Sequence, residues 1–296
     1  MIHRPVDFHS GAPTEIDLSV EWRDGSGLTE PPVQIHALDE HTYVLRQSLH
    51  THYEGPFVFL LLGNTGALLI DSGATADANI WPLRHVVDEI ITDWLRAHPH
   101  ASYSLTVAHS HGHDDHTAGD AQFTNRANTT VVPASLDGMK NFFGLTNWPN
   151  ETVSFDLGGR VLRVIAGPGH EEAATLFYDP WTGLLFTGDT VYPGRLYVVD
   201  MPAYIATLKR AIAFMSEVPV SYLVGCHIEM SATPGMDHPL GSLTHPGEAP
   251  LPMHPSQLVT LHRRAVAIVH LPGVHRFDDV IIYNGKAVVE DYFSRS

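Results

Sequence analysis

Three histidines and an aspartate crowd one short stretch: His111, His113, Asp115 and His116, inside His109-Ser110-His111-Gly112-His113-Asp114-Asp115-His116. Side chains of this kind cannot all enter an apolar core, because each needs its own buried partner. They fit a site for one or two cations of borderline softness, which take imidazole and carboxylate together. His111 and His113 alternate in an extended turn and can share one ion. Asp115 and His116 follow too closely to reach that ion comfortably, so two adjacent sites are expected.

Further candidates occur where apolar runs give way to loops. His170 ends Gly167-Pro168-Gly169-His170 after the run 161–165. Asp189 follows 184–186 in Thr187-Gly188-Asp189-Thr190, and His227 follows 222–224 in Gly225-Cys226-His227. Upstream, Asp71 closes the buried run 67–70 and is followed by Ser72-Gly73. Polar residues at the ends of buried strands are where layered α/β proteins build sites.

In this order the motifs resemble those of the metallo-β-lactamase-fold hydrolases, in the two-metal branch typified by glyoxalase II. The resemblance spans Asp71 to His227. It implies an α/β (α+β) fold of four layers, an αββα sandwich whose site opens at one edge between two sheets. It also implies that His111, His113 and His170 bind a first metal, that Asp115, His116 and His227 bind a second, and that Asp189 bridges both. Asp71 would hold the metal loop by hydrogen bonds without being a ligand. An acid at 189 points to glyoxalase II, lactonase and phosphodiesterase relatives, since zinc β-lactamases lack a bridging carboxylate there.

Imidazole and carboxylate suit zinc, and also iron or manganese. With two Zn2+ bound, a water bridging them would be a hydroxide near neutral pH. The expected function is hydrolysis of an ester, thioester, lactone or phosphodiester bond in a small substrate. Asp115 is placed to orient the hydroxide and accept its proton. Tyr192 is a candidate donor to a developing oxyanion, against a role in packing. Arg195 pairs either with a substrate carboxylate or with a surface acid, and Glu229 reads as structural. The competing expectations are an iron enzyme of the persulfide dioxygenase kind, using His111, His170 and Asp189 alone, and a non-catalytic metal-binding protein. The complete second set, Asp115, His116 and His227, favours two metals.

Composition narrows the partners. The 296 residues carry a formal net charge of −16, with 44% hydrophobic and 17% charged residues. That is ordinary for a globular chain, and one large core is expected over 1–296. Nucleic acid and anionic membrane both need basic patches, so neither is expected. A single cysteine, Cys226, excludes an intrachain disulfide. The beginning of the chain lacks an apolar signal core, and a cytoplasmic location is expected. On a strand Cys226 should face away from the site if His227 faces into it. Most of the 21 histidines need no metal role. His3, His9, His36, His41, His50 and His52 read as surface residues, as do His238, His245 and His254. His85, His98 and His100 read as solvent-facing or capping on or after a helix, and His109 reads as structural.

The positioning elements follow from periodicity. Residues 33–48 read as two strands, and 57–62 and 67–70 as a hairpin around Gly63-Asn64-Thr65-Gly66. Apolar residues over 86–95 recur at helical spacing, with Pro99 beyond. Residues 103–108 form the strand that delivers the metal loop. Strands are predicted at 130–132, 153–165, 174–178, 184–187 and 222–224, with helices at 134–143, 203–215 and 255–270. Residues 1–32 read as an extension, and 230–255 as a loop near the site. An added hairpin is predicted in 274–296, pairing 280–283 with 286–289 through Asn284-Gly285. That hairpin extends a sheet or contacts a second copy, so a dimer is possible.

Overall fold

The computed structural model describes residues 5–295. His3 lies outside the described residues. Two six-stranded sheets carry the fold. The first holds β1 (Val33–Asp39), β2 (Thr42–Gln47), β3 (Phe57–Leu62), β4 (Gly66–Ile70), β5 (Ser104–Ala108) and β6 (Thr129–Val131), in that spatial order. The second holds β7 (Thr152–Asp156), β8 (Val161–Ala166), β9 (Thr175–Asp179), β10 (Leu184–Gly188), β12 (Tyr222–Gly225) and β13 (Pro252–Met253). Its order is β13-β12-β10-β9-β8-β7. A small third sheet, β11-β15-β14, joins β11 (Arg195–Val198), β15 (Ile281–Asn284) and β14 (Gly273–Arg276).

Strand β3 shows why the layers form. Its six residues are all apolar and all buried, so it must be covered on both faces. Successive side chains point opposite ways. Phe57, Phe59 and Leu61 enter the core between the two large sheets, where Phe59 meets Phe186 with ring centroids 4.8 Å apart. Val58, Leu60 and Leu62 enter a separate core under helix α1 (Leu83–Ala97), against Val87, Ile91 and Trp94. The second sheet behaves likewise. Leu185 and Leu223 turn outward to Tyr204 and Leu208 of helix α4 (Met201–Met215) and Leu258 and Leu261 of helix α5 (Pro255–Ile268). The result is the expected helix–sheet–sheet–helix sandwich. Short helices α2 (Asp114–Thr117) and α3 (Leu136–Phe143) complete the loops after β5 and β6, and α6 (Lys286–Arg295) ends the chain. No helix among the described residues is long and apolar enough to cross a membrane.

The sheets are clamped by Arg160. Its guanidinium is buried and reaches Asp179 (Nη2–Oδ2 2.6 Å), Thr42 Oγ1 (2.7 Å) and the carbonyls of His41 and Leu62. Charge and donors are thus matched inside the fold, as a buried ion pair requires.

Four expectations are corrected. The terminal hairpin forms one strand earlier: β15 pairs antiparallel with β14 and parallel with β11, and residues 286–289 begin α6. Because β15 already has a neighbour on each side, it has no free edge for residues 286–289 to pair with. Asn284 is spent differently too, its amide donating to the carbonyls of Ile268 and Leu271. Second, residues 230–255 do not line the metal cleft described below. They pack beside the N-terminal extension, with Glu248 paired to Arg46 (2.7 Å) and the His245 amide donating to the Asp24 carbonyl. Third, His41, His238 and His245 are buried, not surface decoration. His41 accepts from the Trp94 indole (3.0 Å), and His238 and His245 stack on one another. Fourth, β11 and β13 arise where no strand is expected. The extension 5–32 is without helix or strand, as predicted, and lays Ile16, Leu18 and Trp22 on the central core.

Candidate metal centre

Every expected ligand lies just beyond the carboxyl end of a strand: 111–116 after β5, His170 after β8, Asp189 after β10 and His227 after β12. Parallel pairing of β4 with β5, and of β10 with β12, brings these ends to one rim. Backbone shape finishes the placement. Gly188 has φ +50°, and a side chain there would start 2.5 Å from Ser110 Cβ. Gly169 has φ +144° and abuts the α4 backbone, a Cβ falling 2.5 Å from Tyr204 Cα. Neither position accepts another residue without moving a ligand.

The ligands separate into two clusters. In the first, His111 Nε2, His113 Nδ1 and His170 Nε2 are 2.9, 3.1 and 3.2 Å apart. In the second, Asp115 Oδ2 lies 3.2 Å from His116 Nε2 and 3.3 Å from His227 Nε2, and these two nitrogens are 3.3 Å apart. Ligand atoms sharing one tetrahedral ion at about 2.0–2.1 Å stand roughly 3.3 Å from each other. Asp189 spans the clusters. Its Oδ1 is 3.5 and 3.4 Å from His116 and His227, and its Oδ2 is 4.0 and 3.8 Å from His111 and His170. Asp189 Oδ1 is also buried without a hydrogen-bond partner. Such an atom is costly unless a cation meets it. The residues fit two metal ions, and the seven predicted ligands are all brought together.

The partners of the far ring nitrogens fix orientation and tautomer. His170 Nδ1 bonds the Tyr197 carbonyl (2.7 Å), His227 Nδ1 the Glu54 carbonyl (3.1 Å), and His116 Nδ1 Asp71 Oδ2 (2.9 Å). Asp71 has φ +66°, uncommon for a residue with a side chain. Its carboxylate also accepts from the Ser110 amide (2.7 Å) and hydroxyl (2.8 Å). It therefore ties the metal loop to β4, as the sequence implied.

Electrostatics distinguish the clusters. Burial, aided by neighbouring imidazoles, holds His111 well below the ordinary histidine range. Burial also pushes His170 down to about 4. Both stay neutral near pH 7 and keep a lone pair for a cation. Burial opposes charge on His227 as well, but Asp189 and Asp115 outweigh it and raise the ring to about 10. His116 is raised by Asp115, Asp189 and Asp71 against the same burial. The second cluster attracts positive charge, whether protons or metal.

A cleft of about 310 Å³ opens over both clusters. The Tyr192 ring borders it, but its hydroxyl donates to the Arg195 carbonyl (2.5 Å), so in this arrangement its proton does not face an oxyanion. Arg195 is neither exposed nor free for a substrate. It is buried and bonds Glu229 (2.6 Å), Asp237 (3.1 Å) and the His238 carbonyl (2.6 Å). Glu229 is structural, as expected, accepting from the Arg195 amide and guanidinium. His109 bonds Asp120 (2.9 Å). Cys226 lies behind His116, where its thiol donates to Asp71 Oδ2 (3.2 Å). Sequence reasoning missed Glu54, Val199, Val289 and Phe293, which with Tyr197 complete the lining. For the last two a signal existed: Lys286 and Glu290 pair at helical spacing (3.8 Å).

Comparison with known proteins agrees with this geometry. The family model for the metallo-beta-lactamase superfamily matches residues 105–227. The hydroxyacylglutathione hydrolase of Rhizobium meliloti (strain 1021) is 26% identical over 182 residues, covering 58% of this chain and 68% of that protein. One from Chelativorans sp. (strain BNC1) is 28% identical over 120 residues, 40% of this chain and 45% of its own length. One from Synechococcus sp. (strain JA-3-3Ab) is 34% identical over 92 residues, 30% of this chain and 36% of its own length. The chain thus spans less than half of the last two relatives. Among solved structures, a metallo-beta-lactamase from Pontibacter korlensis superposes with TM-score 0.51 at 17% identity, covering 79% of this chain and 99% of that one. The DIM-1 metallo-beta-lactamase exposed to ceftazidime gives 0.53 at 14% identity, covering 81% and 99%. The motifs, the αββα layers and the paired clusters converge on one conclusion: the chain carries a metallo-β-lactamase superfamily domain, with the fold of that family.

Proposed function

We propose that this protein is a metal-dependent hydrolase that uses two zinc ions to cleave an ester-type bond, whether ester, thioester, lactone or phosphodiester, in a small molecule. The observation that carries this reading is Asp189, one carboxylate with an oxygen toward each cluster. Bound there, two dications supply Lewis acidity that brings a water's pKa to about 7 and polarises the oxygen of the scissile bond. The chain's residues do the rest. His111, His113 and His170 hold the first ion, Asp115, His116 and His227 the second, and Asp189 sets their spacing. Asp115 turns Oδ2 toward His116 and His227, which leaves Oδ1 to accept the proton of the attacking water. The Tyr197 and Glu54 carbonyls keep the His170 and His227 rings from turning. Tyr197 and Val199 line the cleft beside these rings. A single-iron enzyme would leave the ring of Asp115, His116 and His227 without a task, so the two-metal reading is preferred.

Elemental analysis of protein made without added metal tests this. About two zinc ions per chain, with hydrolysis in a screen of esters, thioesters, lactones and phosphodiesters, is the expected result. One iron per chain would withdraw the second site and move the chemistry to oxygen-dependent sulfur substrates.

A further inference from the structure

We propose that the cleft receives a neutral, apolar acyl or alkyl group, so that uncharged esters, thioesters or lactones are preferred over glutathione thioesters. This rests on the hydrolase reading above. Beyond the ligands, the cleft presents Tyr197, Val199, Val289 and Phe293. Val199 and Phe293 remain 40% and 47% exposed, apolar surface facing the same cavity as the clusters. Apolar side chains left open beside a polar centre mark the part of a site that binds rather than reacts.

This wall is fixed relative to the metals. The Phe293 ring stands 4.9 Å from that of Tyr197, and the Tyr197 carbonyl holds His170. On α6, Tyr292 meets Tyr283 of β15 at 4.6 Å, which docks the helix beside the cleft. An alkyl group on the carbonyl carbon would therefore meet α6 and β11 when the carbonyl oxygen faces the clusters.

Charge gives the second, independent argument. Among the described residues lining the cleft there is no lysine or arginine, and the carboxylates that are not ligands are Glu54 and Glu229. The nearby cation, Arg195, is buried and already paired with Glu229 and Asp237. Glutathione carries two carboxylates of its own. Among the described lining residues they would find no cation to pair with away from the metals, which gives a charged substrate no advantage there.

The test is a binding series on the metal-replete protein, using acetohydroxamate, hexanohydroxamate and the hexano compound bearing a terminal carboxylate. Hydroxamates chelate a dication, so the three differ only in what they place against the wall. Each added methylene should tighten binding two- to fourfold, the upper figure being about that for full burial. The terminal carboxylate should weaken binding about tenfold or more. Phe293→Ala should flatten the chain-length trend with metal content unchanged. Val199→Lys, at a partly exposed position, should restore binding of the carboxylate compound. A flat series, or equal binding of the carboxylate compound by the native protein, overturns the proposal. Thioester hydrolysis is measured beside it. Faster cleavage of a glutathione thioester than of a hexanoyl thioester also overturns it while the hydrolase reading stands. A chain-length trend with no hydrolysis of any ester removes the hydrolase reading and leaves the apolar subsite supported.

Discussion

Asp71→Asn isolates the link between the hydrogen-bond network and the second metal. Asparagine keeps the volume and tolerates the positive φ of this position. It can also keep one oxygen on the Ser110 amide. Its amide nitrogen must then face the Ser110 hydroxyl, His116 Nδ1 and the Cys226 thiol, which lie 2.8, 2.9 and 3.2 Å from the present Oδ2. An N–H in that place favours a His116 ring that accepts at Nδ1 and carries its proton on Nε2. Nε2 is the atom facing Asp115, His227 and Asp189, so ligation there is blocked. Losing such a partner weakens metal binding by about 10–100-fold, or roughly 1.4–2.7 kcal/mol. The assay is metal content after dialysis against graded chelator, with the thermal midpoint as a check on folding. At chelator levels where the native protein holds two equivalents, the variant should hold about one, retained by His111, His113 and His170. Two equivalents at unchanged affinity, or simultaneous loss of both from a folded protein, would refute the reasoning.

Other outcomes follow from the same geometry. Arg160→Met should leave Asp179 buried without its cation and cost about 3–5 kcal/mol, read as a lowered denaturant midpoint at unchanged slope. Gly169→Ala pushes a Cβ into the α4 backbone and displaces His170, so the first metal should be lost in chelator titrations while the fold persists. Burial holds His41 below its ordinary value of 6.5 despite Asp39 and Glu40. The folded state therefore binds that proton less readily than the unfolded chain, and stability falls as pH drops below about 6.5. His41→Gln should shallow that decline, and an unchanged slope in urea titrations at pH 5 to 7 would assign it elsewhere. Cys226→Ser keeps a donor to Asp71, and two metal equivalents should survive in it.

The ligand set was legible because it is local. Each ligand follows a buried strand, and strand ends can be found from short apolar runs such as 67–70 and 222–224. The layers were legible for a similar reason, since β3 and β4 are apolar on both faces and demand cover from both sides. The division of labour between clusters was implied by resemblance, and the distances around Asp189 agree with it. Tertiary structure alone decided the surroundings. The parallel pairing of β11 with β15 closes between segments far apart in sequence, and no local pattern announces it. That pairing filled the edge of β15 that the expected hairpin needed, and residues 286–289 begin a helix that sets Val289 and Phe293 beside the ligand clusters. Arg195 shows the same limit. Its sequence position left a substrate carboxylate and an acid of the chain itself as alternative partners, and the fold decides for the second by surrounding it with Glu229 and Asp237. A buried guanidinium goes to whichever carboxylates the packing delivers. Ligand identity is written in short motifs, whereas the shape and charge of the cleft depend on which distant segments meet.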